Sequence, residues 1–235
     1  MNPLISAVIG LIPISVISLV VFLMDREKEP LFSYVKCYLL GVFTVCIVLA
    51  LNKYLLKVDL PSESTLSVVL VYSFLAVALV EELFKFISLL IATKLDKNYN
   101  SFYDSIVYSV FIALGFACFE NIIYIFSHNL IVRDVIFRTL ISVPSHVIFA
   151  IFMGKFLELS KTKEKGKVLY LILSLMVPLL LHGLLDFLLL YIPHLISNDV
   201  GFYFFIGIFE LVLYIMGIKE VATSAKKSDQ LLINK

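Results

Sequence analysis

The stretch ALVEELFKF, residues 78–86, places two carboxylates and an ammonium group inside a long apolar run. Glu81 and Glu82 are adjacent, and Lys85 follows one helical turn after Glu81. A charged side chain at the centre of a bilayer costs about 2.5 kcal/mol or more on insertion scales, so such residues face the interior of a helix bundle and indicate function. The rest of the sequence must show whether this segment crosses a membrane and which groups meet its charges.

The composition is typical of an integral membrane protein. Of 235 residues, 61% are hydrophobic and 16% are charged, and the mean hydropathy is +1.02. A soluble domain of this length needs a larger polar surface. The net charge of +1 gives no argument for a nucleic-acid partner, and none is expected. Cys37, Cys46 and Cys118 form no CxxC or Cys/His cluster, so neither a disulfide framework nor a thiolate metal site is predicted.

Hydropathy predicts an all-α fold, a polytopic transmembrane helix bundle of about seven spans with no soluble domain. A helix of about 20 apolar residues crosses the bilayer core. By that measure the spans are 3–24, 31–51, 66–92, 102–127, 135–158, 167–192 and 200–218. The links between them are short, so residues 1–235 are predicted to form one membrane domain that ends in a cytoplasmic polar tail, 219–235.

The distribution of Lys and Arg predicts the orientation of the chain in a cell membrane. With these spans, 14 basic residues fall on one side and 4 on the other, and Lys85 lies within the third span. Basic residues concentrate in cytoplasmic loops. The N-terminus is therefore predicted outside and the C-terminus in the cytoplasm.

Other ionisable side chains also lie inside predicted spans. They are Glu120, His146, His182, Asp186 and Glu210. Glu81 and Lys85 are four residues apart and can pair on one helical face. The same spacing lets Asp186 orient the imidazole of His182. Glu210 has no partner at such a spacing, and it is interpreted as a protonated side chain that hydrogen-bonds another helix.

Prolines and small residues predict where these groups meet. Pro144 and Pro178 precede His146 and His182 by two and four residues, and each removes a backbone hydrogen bond. The carbonyl groups left free are tolerated in a membrane only beside a polar or wet cavity. Small residues would let the fourth and fifth spans approach closely. They are Ser105, Ser109, Ala113 and Ala117 on the fourth and Ser142, Ala150 and Gly154 on the fifth. We expect ionisable groups from four helices to converge on one hydrated site.

Four motifs resemble those of a known protein family. EELFK (81–85), FACFEN (116–121), PSHVIFAIFMG (144–154) and HGLLDF (182–187) occur in this order between residues 78 and 190. Together they resemble the PrsW family of intramembrane proteases, within the CAAX prenyl-protease superfamily. The resemblance implies a glutamate-dependent endopeptidase without a cofactor. It also implies a single-pass membrane protein as substrate, an anti-sigma factor that receives its first cut in stress signalling.

The resemblance implies a set of site residues. The catalytic ones are Glu81, Glu82, His146, His182, Glu120 and Asp186, and the supporting ones are Lys85, Asn121 and Phe116; none is expected to bind a metal. Glu81, kept ionised by Lys85, would act as general base on a water that Glu82 helps to orient. His182 would donate to the oxyanion while Asp186 holds its ring. His146 would be a second polarising or proton-donating group. Because an ionised carboxylate cannot donate a hydrogen bond, either Asp186 is protonated or it only orients His182 and the second donor is another group such as Asn121.

Three other functions fit parts of the sequence. Two histidines and several glutamates could bind zinc in a metalloprotease, although no HExxH motif is present. A non-catalytic membrane scaffold, as in the gamma-secretase relative of the superfamily, would not need the base and its lysine. A proton or ion transporter would also bury acids, but the halves of the chain show no inverted repeat.

Overall fold

The computed structural model describes residues 3–25, 27–56, 65–100, 103–128, 132–196 and 198–233. These ranges are helical and contain no strand, so the predicted all-α fold is confirmed. The α-helices are α1 (Pro3–Met24), α2 (Leu31–Leu51), α3 (Leu66–Val71), α4 (Leu79–Leu95), α5 (Asp104–Ser127), α6 (Val132–Thr162), α7 (Lys167–Leu195) and α8 (Asp199–Ile233). Two π-helical segments complete them: π1 (Asn52–Leu56) extends α2, and π2 (Tyr72–Ala78) joins α3 to α4.

Within the described residues, six helical segments are long and apolar enough to cross a membrane. They are Ile5–Met24, Leu31–Tyr54, Asp104–Ser127, Val132–Thr162, Lys167–Leu195 and Asp199–Lys226. The predicted third span, 66–92, is the continuous run of α3, π2 and α4, which carries the charges of the EELFK motif. The structure therefore agrees with a polytopic bundle. The link residues 57–64 and the predicted span start at 102 lie outside the described residues, and α8 continues as a helix well past residue 218.

α5 lies at the centre of the bundle. In its most apolar window 78% of the residues are buried, compared with 17% for α1 and 22% for α8. A Cβ atom added to Gly154 of α6 would overlap the carbonyl oxygen of Ser105 on α5, which confirms the predicted close approach of these two helices. A second close contact, between α2 and α5, was not predicted: a Cβ on Gly41 would overlap the carbonyl oxygen of Ile112.

A first group of buried charges lies where the α1–α2 and α4–α5 links meet. The Tyr34 hydroxyl donates to Asp25 Oδ2 over 2.7 Å and accepts a hydrogen bond from the Glu29 backbone N–H over 3.0 Å. Lys36 forms an ion pair with Asp96. We call these five residues the loop cluster. They join the links at one end of the bundle, the end predicted to be cytoplasmic.

Candidate active site

α4 carries ionisable side chains on its buried face. Glu81, Glu82 and Lys85 are 6%, 1% and 3% exposed. They share the face with Ser88 and Ala92, and this spacing of three to four residues follows one side of an α-helix. The helix is preceded directly by π2, and π-helical turns are frequent at functional sites. The charges therefore point into the bundle, as the sequence predicted.

Lys85 is the centre of the buried charges. Its Nζ lies 2.8 Å from Glu82 Oε1 and 3.3 Å from Glu81 Oε2, which confirms the predicted pairing and adds Glu82 to it. The same atom is 3.0 Å from His146 Nδ1 and 4.0 Å from the centre of the Phe116 ring. Phe116 thus provides a cation–π contact to the lysine.

His182 is held between α4 and its own helix, α7. Its Nδ1 lies 2.8 Å from Glu82 Oε1, and its Nε2 lies 3.4 Å from Asp186 Oδ2 and 4.0 Å from Glu81 Oε2. An ionised carboxylate only accepts hydrogen bonds, so Nδ1 donates to Glu82 and Nε2 is directed toward Glu81 and Asp186. A Cβ on the next residue, Gly183, would lie 2.5 Å from the Phe74 ring of π2, so glycine lets α7 reach this position.

His146 of α6 bridges two charged partners. Its Nδ1 faces the Lys85 ammonium, which has only donors, so Nδ1 is the acceptor and Nε2 carries the proton. Nε2 lies 3.3 Å from Glu120 Oε2. Both ring nitrogens therefore already have partners. The ring also contacts His182, with 5.2 Å between ring centres.

Arg138 is a site residue that the sequence analysis missed. Its Nη2 lies 3.3 Å from Glu120 Oε1, and its guanidinium carbon is 3.8 Å from the centre of the Tyr124 ring. Glu120 thus bridges Arg138 and His146, on α6, from its position on α5. The available signal was the position of Arg138 two helical turns before His146, but spacing alone does not show that a neighbouring helix supplies a carboxylate.

A cavity of about 480 Å³ brings most of the predicted site residues together. The predicted residues in its lining are Glu81, Glu120, His146, His182 and Asp186. Glu82 and Phe116 lie behind this surface against Lys85. Asn121 is 1% exposed and does not line the cavity, and its side-chain N and O atoms have no hydrogen-bond partner among the described residues. The geometry therefore does not favour Asn121 as an oxyanion donor.

The same groups bear on whether a metal ion could bind. Glu81, Glu82, His146 and His182 each offer one donor atom, and these atoms lie within 4.8 Å of one another. Two imidazoles with carboxylates are a donor set that zinc accepts. The Lys85 ammonium, however, already contacts three of these four side chains, Glu81, Glu82 and His146, and would repel a dication beside it. The residues as arranged do not fit a resident metal ion.

Helices long enough to span a membrane, with carboxylates and imidazoles lining one cavity between them, define a class of protein: an enzyme that works inside the bilayer. Residues 29–215 match the family described as "PrsW family intramembrane metalloprotease". The chain belongs to the PrsW family and is an intramembrane protease.

Relatives over most of the chain support this assignment. Protease PrsW of Clostridioides difficile (strain 630) is 39% identical over 168 residues, which cover 69% of this chain and 69% of the relative. Protease PrsW of Bacillus subtilis (strain 168) is 32% identical over 192 residues, covering 81% of this chain and 85% of the relative. Protease PrsW of Geobacillus kaustophilus (strain HTA426) is 31% identical over 197 residues, covering 84% and 81%. No solved structure matches the chain.

Proposed function

We propose that the chain hydrolyses a peptide bond of a single-pass membrane protein with a water molecule activated by Glu81. The observation that carries this proposal is the arrangement of Glu81 and His182. Both line the cavity, with 4.0 Å between Glu81 Oε2 and His182 Nε2. A base and a hydrogen-bond donor at this separation can act on the two sides of one attacked carbonyl group.

The reaction balances with these two groups alone. The Glu81 carboxylate takes a proton from water as the oxygen of that water bonds to the scissile carbonyl carbon. His182 acts as the imidazolium in this step: its Nδ1–H stays on Glu82, and its Nε2–H, which faces Asp186 in the free protein, donates to the oxyanion that forms. The C–N bond then breaks, and Glu81 returns its proton to the leaving amine. The products are one carboxylic acid and one amine.

Residues outside the cavity lining keep Glu81 ionised and His182 oriented. Lys85 pairs with Glu81 and favours its ionised form, while Glu82 orients His182 through Nδ1. The proposal gives His146 a positioning role, because its two nitrogens are bound to Lys85 and Glu120. Glu120 is fixed in turn by Arg138.

The size of the cavity limits the conformation in which a substrate can enter. A volume of about 480 Å³ is far smaller than a membrane-spanning helix of about 20 residues. The substrate therefore enters as a short unwound segment at the end of its helix. We propose an anti-sigma factor as this substrate, following the motif resemblance.

The test is cleavage in reconstituted membranes by wild type, Glu81→Gln and Glu82→Gln. Loss of a general base lowers rates by about 10²–10⁴-fold, so Glu81→Gln should lose at least about a hundredfold in kcat. Glu164→Gln, in the exposed α6–α7 link, is the matched control and should keep the wild-type rate. Unchanged product formation by Glu81→Gln would rule out the proposed base. A comparison of membrane proteomes from cells with wild type or Glu81→Gln would identify the substrate.

A further inference from the structure

α8 contributes one buried acid to a helix that otherwise faces outward. Glu210 is 2% exposed, although only 22% of the most apolar window of α8 is buried. Its Oε1 lies 2.7 Å from Ser145 Oγ, and its Oε2 has no hydrogen-bond partner within the described ranges. Among those residues no ion pair involves Glu210. An ionised carboxylate in this setting would be strongly disfavoured.

The hydrogen bonds of Ser145 indicate which group carries the proton. Ser145 Oγ lies 2.7 Å from the Ile141 carbonyl oxygen and 2.7 Å from Glu210 Oε1. A serine hydroxyl has one hydrogen, and a carbonyl oxygen can only accept. When Ser145 donates to Ile141, the second contact needs a donor on Glu210. The burial of Glu210 without an ion pair favours the neutral carboxylic acid, and in that form its O–H donates to Ser145 Oγ while Ser145 donates to Ile141.

A second residue of α8 contacts the same turn of α6. Pro144 has no N–H to donate to the Leu140 carbonyl oxygen four residues earlier. The Tyr214 hydroxyl donates to that oxygen instead. Glu210 and Tyr214 are four residues apart, so they lie on one face of α8. A carbonyl without a partner at membrane depth is strongly disfavoured, which makes this contact from a neighbouring helix important for the proline break.

The turn that α8 contacts leads directly into the cavity. Ile141, Ser145 and His146 all line it, and His146 follows Ser145 in the chain. We propose that Glu210, as a neutral acid, and Tyr214 are positioning residues, which fix α6 across its proline break and so hold His146 between Lys85 and Glu120. The effect on proteolysis rests on the proposed function, whereas the proton on Glu210 and the order of the α6 turn do not.

The kinetic test distinguishes a hydrogen-bond donor at position 210 from a side chain that only fills space there. Glu210→Leu should lower kcat about ten- to hundredfold with little change in KM, because small displacements of active-site groups cost about that much. Glu210→Gln keeps a donor and should stay close to wild type. Tyr214→Phe removes a single hydroxyl and should show a smaller loss of kcat. Glu220→Gln, on the same helix and paired with Lys155, is the matched control and should keep the wild-type kcat. A wild-type kcat for Glu210→Leu, or equal losses for Leu and Gln, would overturn the proposal.

Two measurements do not depend on proteolysis. Infrared difference spectra between wild type and Glu210→Gln should show the carbonyl stretch of a protonated carboxylic acid, shifted by Ser145→Ala. Hydrogen exchange of backbone amides in residues 140–150 should increase in Tyr214→Phe and stay unchanged in Glu220→Gln. Absence of the infrared band, or unchanged exchange, would contradict the inference. If Glu81→Gln stays active while these signals appear, the proposed function fails and the α8 contacts stand.

Discussion

Two clusters of buried charges in the described part of the chain differ in their surroundings. In the loop cluster, Asp96 pairs with Lys36, whose side chain is 27% exposed, and Tyr34 donates to Asp25. At the other place, which we call the cavity cluster, Glu81 and Glu82 share Lys85 and meet the imidazoles of His146 and His182. Residues of the cavity cluster line the cavity, and no residue of the loop cluster is part of that lining.

The difference shows that burial of charge is not by itself a sign of catalysis. A carboxylate whose cationic partner is partly exposed at the end of a helix forms an interfacial ion pair. Such a pair fixes the position of the link between two helices. The cavity cluster instead combines two carboxylates with one lysine, two imidazoles and a space for substrate. A carboxylate in excess over the cations, placed beside the cavity, can exchange protons with a molecule that enters the cavity. The comparison is tested most directly by removing the lysine of each cluster.

Lys85→Met should have the largest effect of any single substitution in the two clusters. Removing one partner from a buried ion pair costs about 3–5 kcal/mol of the free energy of unfolding. Glu81 would also lose the cation that favours its ionised form, so we expect kcat to fall at least about a hundredfold. Unfolding in mixed micelles and cleavage of a reconstituted substrate measure the two effects.

Lys36→Met is the matched change in the loop cluster. Partly exposed ion pairs contribute about 1 kcal/mol or less, so its free energy of unfolding should change by no more than that and kcat should stay at the wild-type value. Equal losses of kcat in the two variants would show that the clusters do not differ in function. A wild-type kcat for Lys85→Met would remove the lysine from the proposed mechanism.

The sequence predicted the parts of this site that depend on spacing within one helix. The pairs Glu81–Lys85 and His182–Asp186 are four residues apart, and the structure has both. Small residues on α5 and α6 likewise predicted a close approach, which Gly154 shows. Hydropathy predicted the spans for a similar reason: a span is recognised from a local stretch of about 20 residues.

The particular side-chain pairs that form between helices could not be predicted in this way. Arg138 reaches Glu120 across the α5–α6 contact, and Ser145 reaches Glu210 across 65 residues of sequence. Such pairs depend on how each helix is rotated in the bundle, and a single sequence does not fix that rotation. The same limit explains Asn121, which neighbours Glu120 but lies outside the cavity lining.

The pH dependence of stability offers a second, smaller way to separate the clusters. Burial, followed by the charge of Asp104, raises the pKa of Glu29 from 4.5 to about 8. Between these values the folded chain holds a proton that the unfolded chain has lost, so stability falls as the pH rises through that window. Burial opposes the change at Asp96, but the Lys36 hydrogen bond lowers its pKa to about 2, so its contribution is lost only in acid below the window.

Glu29→Gln should therefore melt at a temperature that depends less on pH than that of wild type between about pH 5 and about pH 8, with a difference of a few degrees. The neutral amide replaces the protonated acid and removes its titration. Burial also raises the pKa of Asp25, so part of the slope should remain. Glu164→Gln should melt with the wild-type slope, and cleavage by Glu29→Gln should be normal because Glu29 does not line the cavity. If the melting temperature of Glu29→Gln depended on pH as strongly as that of wild type, Glu29 would not be the group that titrates in this window.

The smallest expected change is the effect of removing divalent metal ions, for which we expect no loss of activity. In the cavity cluster the cation is the Lys85 ammonium, which occupies the donors that zinc would need. Wild-type cleavage should continue in a strong chelator, and purified protein should contain less than one zinc ion per chain. Lys85→Met removes the cation from Glu81, Glu82 and His146, so this variant should bind zinc more tightly than wild type does. Activity that disappears with the chelator and returns with Zn²⁺ would instead establish a metalloprotease and show that the lysine moves aside for the ion.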